Sequence, residues 1–299
     1  MRKYWQLYAL TLPAAAGLIA FHYLPIFGIV LAFKRFDFSK GIFGSPWSDP
    51  LLSNFAILTS NRDAWNAIRN TLLLNTLFIV VGTTFAIALA IMLNEIKRKS
   101  YKKITQSLTF VPFFISWIVV GQFMAGILSY ENGAINKFFA AVGMERIDFY
   151  MSPEYWPFIL LVANIWKGAG YAAVIYLATI AGFSTEFYEA ADIDGATRWQ
   201  RIQYITLPLL KPTIIIMTLL ALGNIMRSDF GLFYFVPANM PTLYPTTDVL
   251  DTFIFRALRV SGSINISAAA GFFQSVVSLV IVLSFNWLAN KFEEGYGLF

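Results

Sequence analysis

Six stretches of the chain stay apolar for twenty or more residues with few charges: 7–33, 71–93, 107–128, 157–182, 213–236 and 268–290. A helix needs about 20 mostly apolar residues to cross the hydrocarbon core of a bilayer. The pattern therefore predicts an all-α polytopic membrane protein with six transmembrane helices. The first stretch is long and holds Pro13 and Pro25, so a kink or an interfacial lead-in is expected there. Its length also exceeds the apolar region of a secretory signal, about 7–15 residues, which argues against cleavage. The polar intervals contain no internal repeat, low-complexity tract or soluble domain. Residues 41–47 (Gly-Ile-Phe-Gly-Ser-Pro-Trp) read as turns, and short helices are expected within 129–156 and 246–260. The expected organisation is an N-terminal helix and first outer loop (1–66), a core (67–292) and a C-terminal tail (293–299).

Composition sharpens this. Of 299 residues, 58% are hydrophobic and 13% charged, with a mean hydropathy of +0.62. Soluble domains run about 45–50% apolar and about 25% charged, so lipid must cover much of this surface. Disorder, collagen-like fibres and a small disulfide scaffold are excluded. With no cysteine and one histidine, His22, neither a disulfide framework nor a thiolate metal site is available. His22, on an apolar stretch, reads as a hydrogen-bonded packing residue.

The net charge of +5 is explained by topology. With the N-terminus inside, the inner segments (1–6, 94–106, 183–212, 291–299) hold 11 Lys/Arg in 58 residues; the outer ones hold 9 in 96. That asymmetry follows the positive-inside rule and puts both termini in the cytoplasm. Lys97, Arg98, Lys99, Lys102 and Lys103 carry most of it, in one loop near the headgroups. No nucleic-acid partner is needed. The chain has no phosphate-cradling Gly-x-x-x-x-Gly-Lys-Ser/Thr string, so any ATP it uses binds another subunit. Hydrolase and metallopeptidase strings are absent too, leaving no catalytic residues and no metal site.

The inner segment 184–212 is the one loop built for a partner. Ser184 or Thr185 can cap a first short helix, with Glu186 and Glu189 in its opening turns, where the helix dipole favours negative charge. Gly195 ends it after Asp194, as a left-handed residue does. Thr197 can cap a second helix, expected to stop at Leu207-Pro208 and Pro212, which lack backbone donors. Phe187, Trp199, Ile202 and Tyr204 give it an apolar face, suited either to docking or to lying on the membrane.

The string Glu189-Ala190-Ala191-x-x-Asp194-Gly195-Ala196, then Ile205-x-Leu207-Pro208-x-x-x-Pro212, resembles the EAA loop of type I ABC importer permeases, with Ile202 where many relatives carry Phe. The resemblance covers nearly the whole chain. Leu12-Pro13, Tyr23-x-Pro25, Gly28, Ala32-Phe33-Lys34, Gly44-Ser-Pro-Trp47 and Arg69-Asn-Thr71 are similar to the polysaccharide and oligosaccharide branch. So are Phe114-Ile-Ser-Trp117, Ile165-Trp-Lys167 and Asp251-Thr-Phe. The resemblance implies a bacterial cell-membrane protein that pairs with a second, homologous permease. It further implies two cytoplasmic ATPase subunits that hold ATP and Mg, and an extracellular solute-binding protein that delivers carbohydrate. In that family, ATPase closure pulls on the loop and rocks the permease pair between inward- and outward-facing states. Glu189 would then meet a basic ATPase residue, Gly195 would permit the turn, and Leu207-Pro208 would fix where the lever meets the fifth span. The same architecture carrying a non-sugar solute, or a non-transporting scaffold, is the alternative.

Sugars are held by flat aromatic faces and hydrogen-bonding groups in a largely preformed pocket. Spans four and five offer Asn164, Trp166, Lys167, Tyr171, Asn224, Arg227, Asp229, Phe230 and Tyr234 as candidates for the substrate path. Charges within spans are costly and usually face a cavity or a partner. Arg227 and Asp229, two apart on one helix, would point to different sides. An ion pair with the partner permease or a snorkelling Arg227 is the alternative use.

Overall fold

The computed structural model describes residues 5–292; Arg2, Lys3 and the tail 293–299 lie outside the described residues. Helices dominate, and the described residues contain no strand, only an isolated bridge between Lys34 and Trp47. In chain order the main helices are α1 (Trp5–Leu18), α2 (Arg62–Asn94), α3 (Lys99–Phe110), α4 (Trp117–Leu128), α5 (Ala134–Ala141) and α6 (Trp156–Ala181). They continue with α7 (Thr185–Ile193), α8 (Arg198–Arg201), α9 (Leu207–Gly223), α10 (Phe230–Phe235), α11 (Leu250–Arg259) and α12 (Ile264–Phe292). The described residues hold five helical runs long and apolar enough to cross a membrane: Tyr8–Phe33, Arg62–Asn94, Pro153–Ala181, Arg198–Gly223 and Ile264–Lys291. A bent pair, Lys99–Phe114 with Trp117–Leu128, completes six. The short helices expected within 129–156 and 246–260 are α5 and α11.

Four expectations are corrected. The stretch 107–128 is not one straight helix: its halves meet at 96°. Pro112 lies in a 3-10 turn, Val111–Phe114, and Ser116 starts α4 by accepting the Val119 N–H, so the chain exits one helix and caps another within six residues. The stretch 213–236 is not one helix either. Its helix starts at Arg198, ends at Gly223, and leaves residues 224–229 non-helical before α10. Pro208 and Pro212 do not stop the second loop helix. A π turn, Ile202–Thr206, joins α8 to α9, and its wider winding accommodates the donor that Pro208 lacks. His22, finally, is exposed in another π turn, Ile19–Tyr23, rather than packed.

The chain divides into two compact units, Met1–Trp65 with Phe253–Val276, and Asn66–Thr252 with Val277–Phe299. In the first, Phe33, Phe55 and Phe272 meet with ring centroids 5.3–5.9 Å apart. The buried Lys34 donates to the carbonyls of Ile42 (3.2 Å) and Phe43 (2.7 Å) beneath the Trp47 ring. The buried Asn54 amide donates to Ala32 and Lys34 carbonyls and receives the Asn265 amide at 2.8 Å. These bonds close the Gly-Ser-Pro-Trp loop. The second unit holds the cavity and the exposed loop.

Candidate functional site

In the second unit the two helix breaks, 111–116 and 224–229, are held by paired polar contacts. Trp117 Nε1 donates to Asp229 Oδ2 at 2.6 Å, while Asp229 Oδ1 caps α10 by accepting the Gly231 N–H at 3.0 Å. Lys167 Nζ donates to the Phe113 carbonyl at 2.7 Å and lies 5.1 Å from the Trp117 ring centroid. Non-helical backbone at membrane depth must find partners in the protein or in a water-lined cavity. Here the Lys167 ammonium supplies one for the Phe113 carbonyl, and the Asp229 carboxylate, itself held by the Trp117 indole, supplies one for the Gly231 N–H.

Glycines set how closely the helices approach. A Cβ at Gly170 of α6 would overlap the Thr109 carbonyl, and one at Gly231 would overlap the Trp117 ring. At Gly121 of α4 it would stand 2.5 Å from the Phe235 carbonyl. The peptide 225–228 is pinned from two sides. Asn75 Nδ2 donates to the Ile225 carbonyl at 2.7 Å and to Ser228 Oγ at 3.0 Å, and the Ser228 N–H donates to Asp251 Oδ2 at 2.7 Å.

Between α2, α6, α9 and the second break lies a cavity of ≈ 360 Å³. This is within the usual range for a small-molecule site, about 300–1,000 Å³. Phe78 and Phe233, stacked with centroids 5.9 Å apart, form part of its wall. Four of the nine substrate-path candidates line it: Asn164, Asn224, Arg227 and Asp229. The others lie outside it. Lys167 bonds the first break, and Tyr171 stacks on Phe113 at 4.3 Å. Phe230 stacks on Tyr234 at 4.9 Å, and Trp166 is exposed on α6. Asn75, Phe78 and Phe233 were missed: the first reads as one more polar residue in a span, the others as ordinary apolar lining.

The loop 184–206 forms as its local signals require. Ser184 Oγ accepts the Glu186 N–H. Gly195 takes φ +71°, and Ala196 N–H bonds the Ala191 carbonyl while Gly195 N–H bonds that of Asp192. This is the Schellman pattern that a left-handed residue after the helix permits. Thr197 and Gln200 form a reciprocal capping box. Arg201 pairs with Asp192 across the turn. Glu189, Ala190, Asp194 and Gly195 are exposed, Ala191, Ala196 and Ile205 half-buried, and Leu207 and Pro208 exposed at the start of α9. Phe187 (53%), Ile193 (87%), Trp199 (70%) and Tyr204 (70%) present apolar surface outward.

The strings flagged at the start of the second unit carry long-range bonds. Arg69 and Asn70 donate to the Pro245 carbonyl, and Thr71 Oγ1 receives the buried Leu250 N–H.

The family of binding-protein-dependent transport system inner membrane components matches residues 82–296. Protein LplB of Bacillus subtilis (strain 168) is 31% identical over 298 residues, spanning 100% of this chain and 92% of its own length. The polygalacturonan/rhamnogalacturonan transport system permease protein YteP of the same organism is 33% identical over 290 residues, 97% and 89% of the two chains. A crystal structure of a bacterial alginate ABC transporter in complex with an alginate pentasaccharide-bound periplasmic protein is similar at TM-score 0.88 and 35% identity, covering 99% of this chain and 98% of that one.

Proposed function

The chain belongs to the family of binding-protein-dependent transport system inner membrane components, and from that premise we propose that it imports an oligosaccharide or polysaccharide fragment as one of two homologous permeases in an ATP-driven importer. It is a membrane permease subunit rather than an enzyme. Two ATPase subunits hold ATP and Mg on the cytoplasmic side, and an extracellular solute-binding protein delivers the sugar. Relatives named for polygalacturonan/rhamnogalacturonan transport and for alginate support carbohydrate as the solute.

The observation that carries this reading is a continuous rod. The exposed loop leads through α8 and the π turn into α9 as one helical run, Arg198–Gly223, whose far end is the cavity break at Asn224–Asp229. At about 1.5 Å per residue the run is about 39 Å long. A force on the apolar face of α7 and α8 therefore reaches the cavity without passing through a flexible joint. The Schellman turn and capping box keep the two loop helices at a fixed angle. Glu189 offers the docking face a carboxylate for a basic ATPase residue, and Ala190 and Ala191 let the partner approach closely. The lever turns ATPase closure into alternating access at the cavity.

Isolation of the whole importer from its own membranes in mild detergent tests this. The chain should co-purify with an ATP-hydrolysing subunit and a second permease, and hydrolysis should rise when saccharide-loaded binding protein is added. A chain that purifies without an ATPase, or hydrolysis that responds only to a non-sugar solute, contradicts the reading.

A further inference from the structure

Arg227 lines the cavity and is exposed to it, and among the described residues its guanidinium makes no hydrogen bond and no ion pair. No acidic side chain among the described residues forms an ion pair with it. Both Asp229 oxygens are engaged, one by the Trp117 indole and one by the Gly231 N–H. Lys167 is committed to the Phe113 carbonyl and the Phe113 and Trp117 rings. Arg227 is also not a loose surface residue. Its own N–H bonds the Asn224 carbonyl at 2.8 Å, and the peptides on either side are pinned by Asn75 and Asp251. The fold fixes the backbone and leaves the charge open.

A cation held within a membrane-embedded cavity is costly unless something pairs with it. A planar guanidinium matches a carboxylate with two parallel donors. Asn164, across the cavity on α6, contributes an amide with no partner among the described residues, suited to a hydroxyl. Asn164 lies eight residues into α6, about 12 Å along its axis, so its amide sits inside the span rather than at its mouth. The stacked Phe78 and Phe233 add an apolar wall. We propose that the saccharide carried through this cavity bears a carboxylate, which Arg227 receives while Asn164 holds a neighbouring hydroxyl. This rests on the carbohydrate reading and adds the charge of the sugar to it. A neutral sugar would leave the guanidinium unpaired at each passage.

The test uses the whole importer in proteoliposomes, with the binding protein saturated by each saccharide so that its own preference drops out. Labelled trisaccharides of galacturonate, mannuronate and glucuronate are each compared with the carboxyl-reduced neutral counterpart. For at least one uronate, the wild-type protein should take up the acid about tenfold faster than the neutral form, the scale of one charge-assisted contact. Arg227→Gln should bring that ratio toward one, and Arg227→Lys, which keeps the charge without the fork, should fall between. Uptake of neutral forms as fast as acids by the wild type overturns the inference and leaves the carbohydrate reading standing. Equal loss of acid and neutral uptake in Arg227→Gln also overturns it, assigning Arg227 to packing or to an ion pair with the other permease. Uptake of no saccharide overturns both.

Discussion

The loop 184–206 and the cavity at the far end of α9 are built in opposite ways. Nearly every bond that shapes the loop spans a few residues: Ser184 to Glu186, Ala191 to Ala196, Thr197 to Gln200. The cavity is closed by residues far apart in sequence, Trp117 with Asp229 and Asn75 with Ile225, separated by 112 and 150 positions. A locally closed element keeps its shape while its surroundings move, as a lever must. A site held by distant contacts changes shape when those contacts shift, as a gated cavity must. The apolar residues divide the same way: Phe187, Ile193 and Trp199 of the loop point outward, whereas Phe233, Leu232 and Ile225 of the cavity wall are buried.

Substitutions can separate the two kinds of construction. The largest effect is expected at Gly195→Asp. At φ +71° a side chain is strained by about 1–2 kcal/mol, and the turn that sets the two loop helices should open. Uptake should be abolished while immunoblots find the chain at its normal level in the membrane. Normal uptake would remove the loop from the mechanism. Next comes Gly170→Val, whose added carbons meet the Thr109 backbone. Overpacking of this kind costs about 1–3 kcal/mol, so both the detergent melting temperature and the membrane level should fall. Gly168→Ala, two residues away with open space around it, should leave both unchanged. Trp117→Phe deletes the indole donor to Asp229. Polar contacts between membrane helices are worth about 0.6–1.7 kcal/mol, so a small loss of melting temperature is expected, with slower uptake. The smallest effect belongs to Asp192→Asn, because the Asp192 carboxylate is solvent-exposed and pairs at the surface contribute about 0–1 kcal/mol. Melting temperature and uptake should barely change.

The same contrast explains what could be read from the residues alone. The caps at Ser184 and Thr197 and the turn at Gly195 are local chemistry, so the sequence displays them directly. Six apolar stretches were legible for the same reason, since hydrocarbon thickness sets their length. The breaks were not. Residues 107–128 are apolar on both sides of Ile115, and hydropathy carries no sign of a 96° bend. Pro208 and Pro212 suggested a helix end, because the π turn that accommodates them has no composition of its own. Arg227 and Asp229 looked like neighbours on one helix, yet they sit on a non-helical peptide whose path is fixed by Asn75 and Asp251. Lys167 is a candidate for the substrate path by sequence, and its bond to a backbone carbonyl freed by a break 54 residues earlier has no local signal.

In the proposed importer the exposed face of the loop seats in an ATPase subunit. The chain contains no cysteine, so Ile193→Cys places a single thiol at the most exposed apolar position of that face. In membranes holding the assembled, active importer, a short thiol-to-amine crosslinker should join this residue to the ATPase, and a water-soluble maleimide should label it poorly. Free labelling with no crosslink, in an importer that still transports, would show that the loop touches no ATPase.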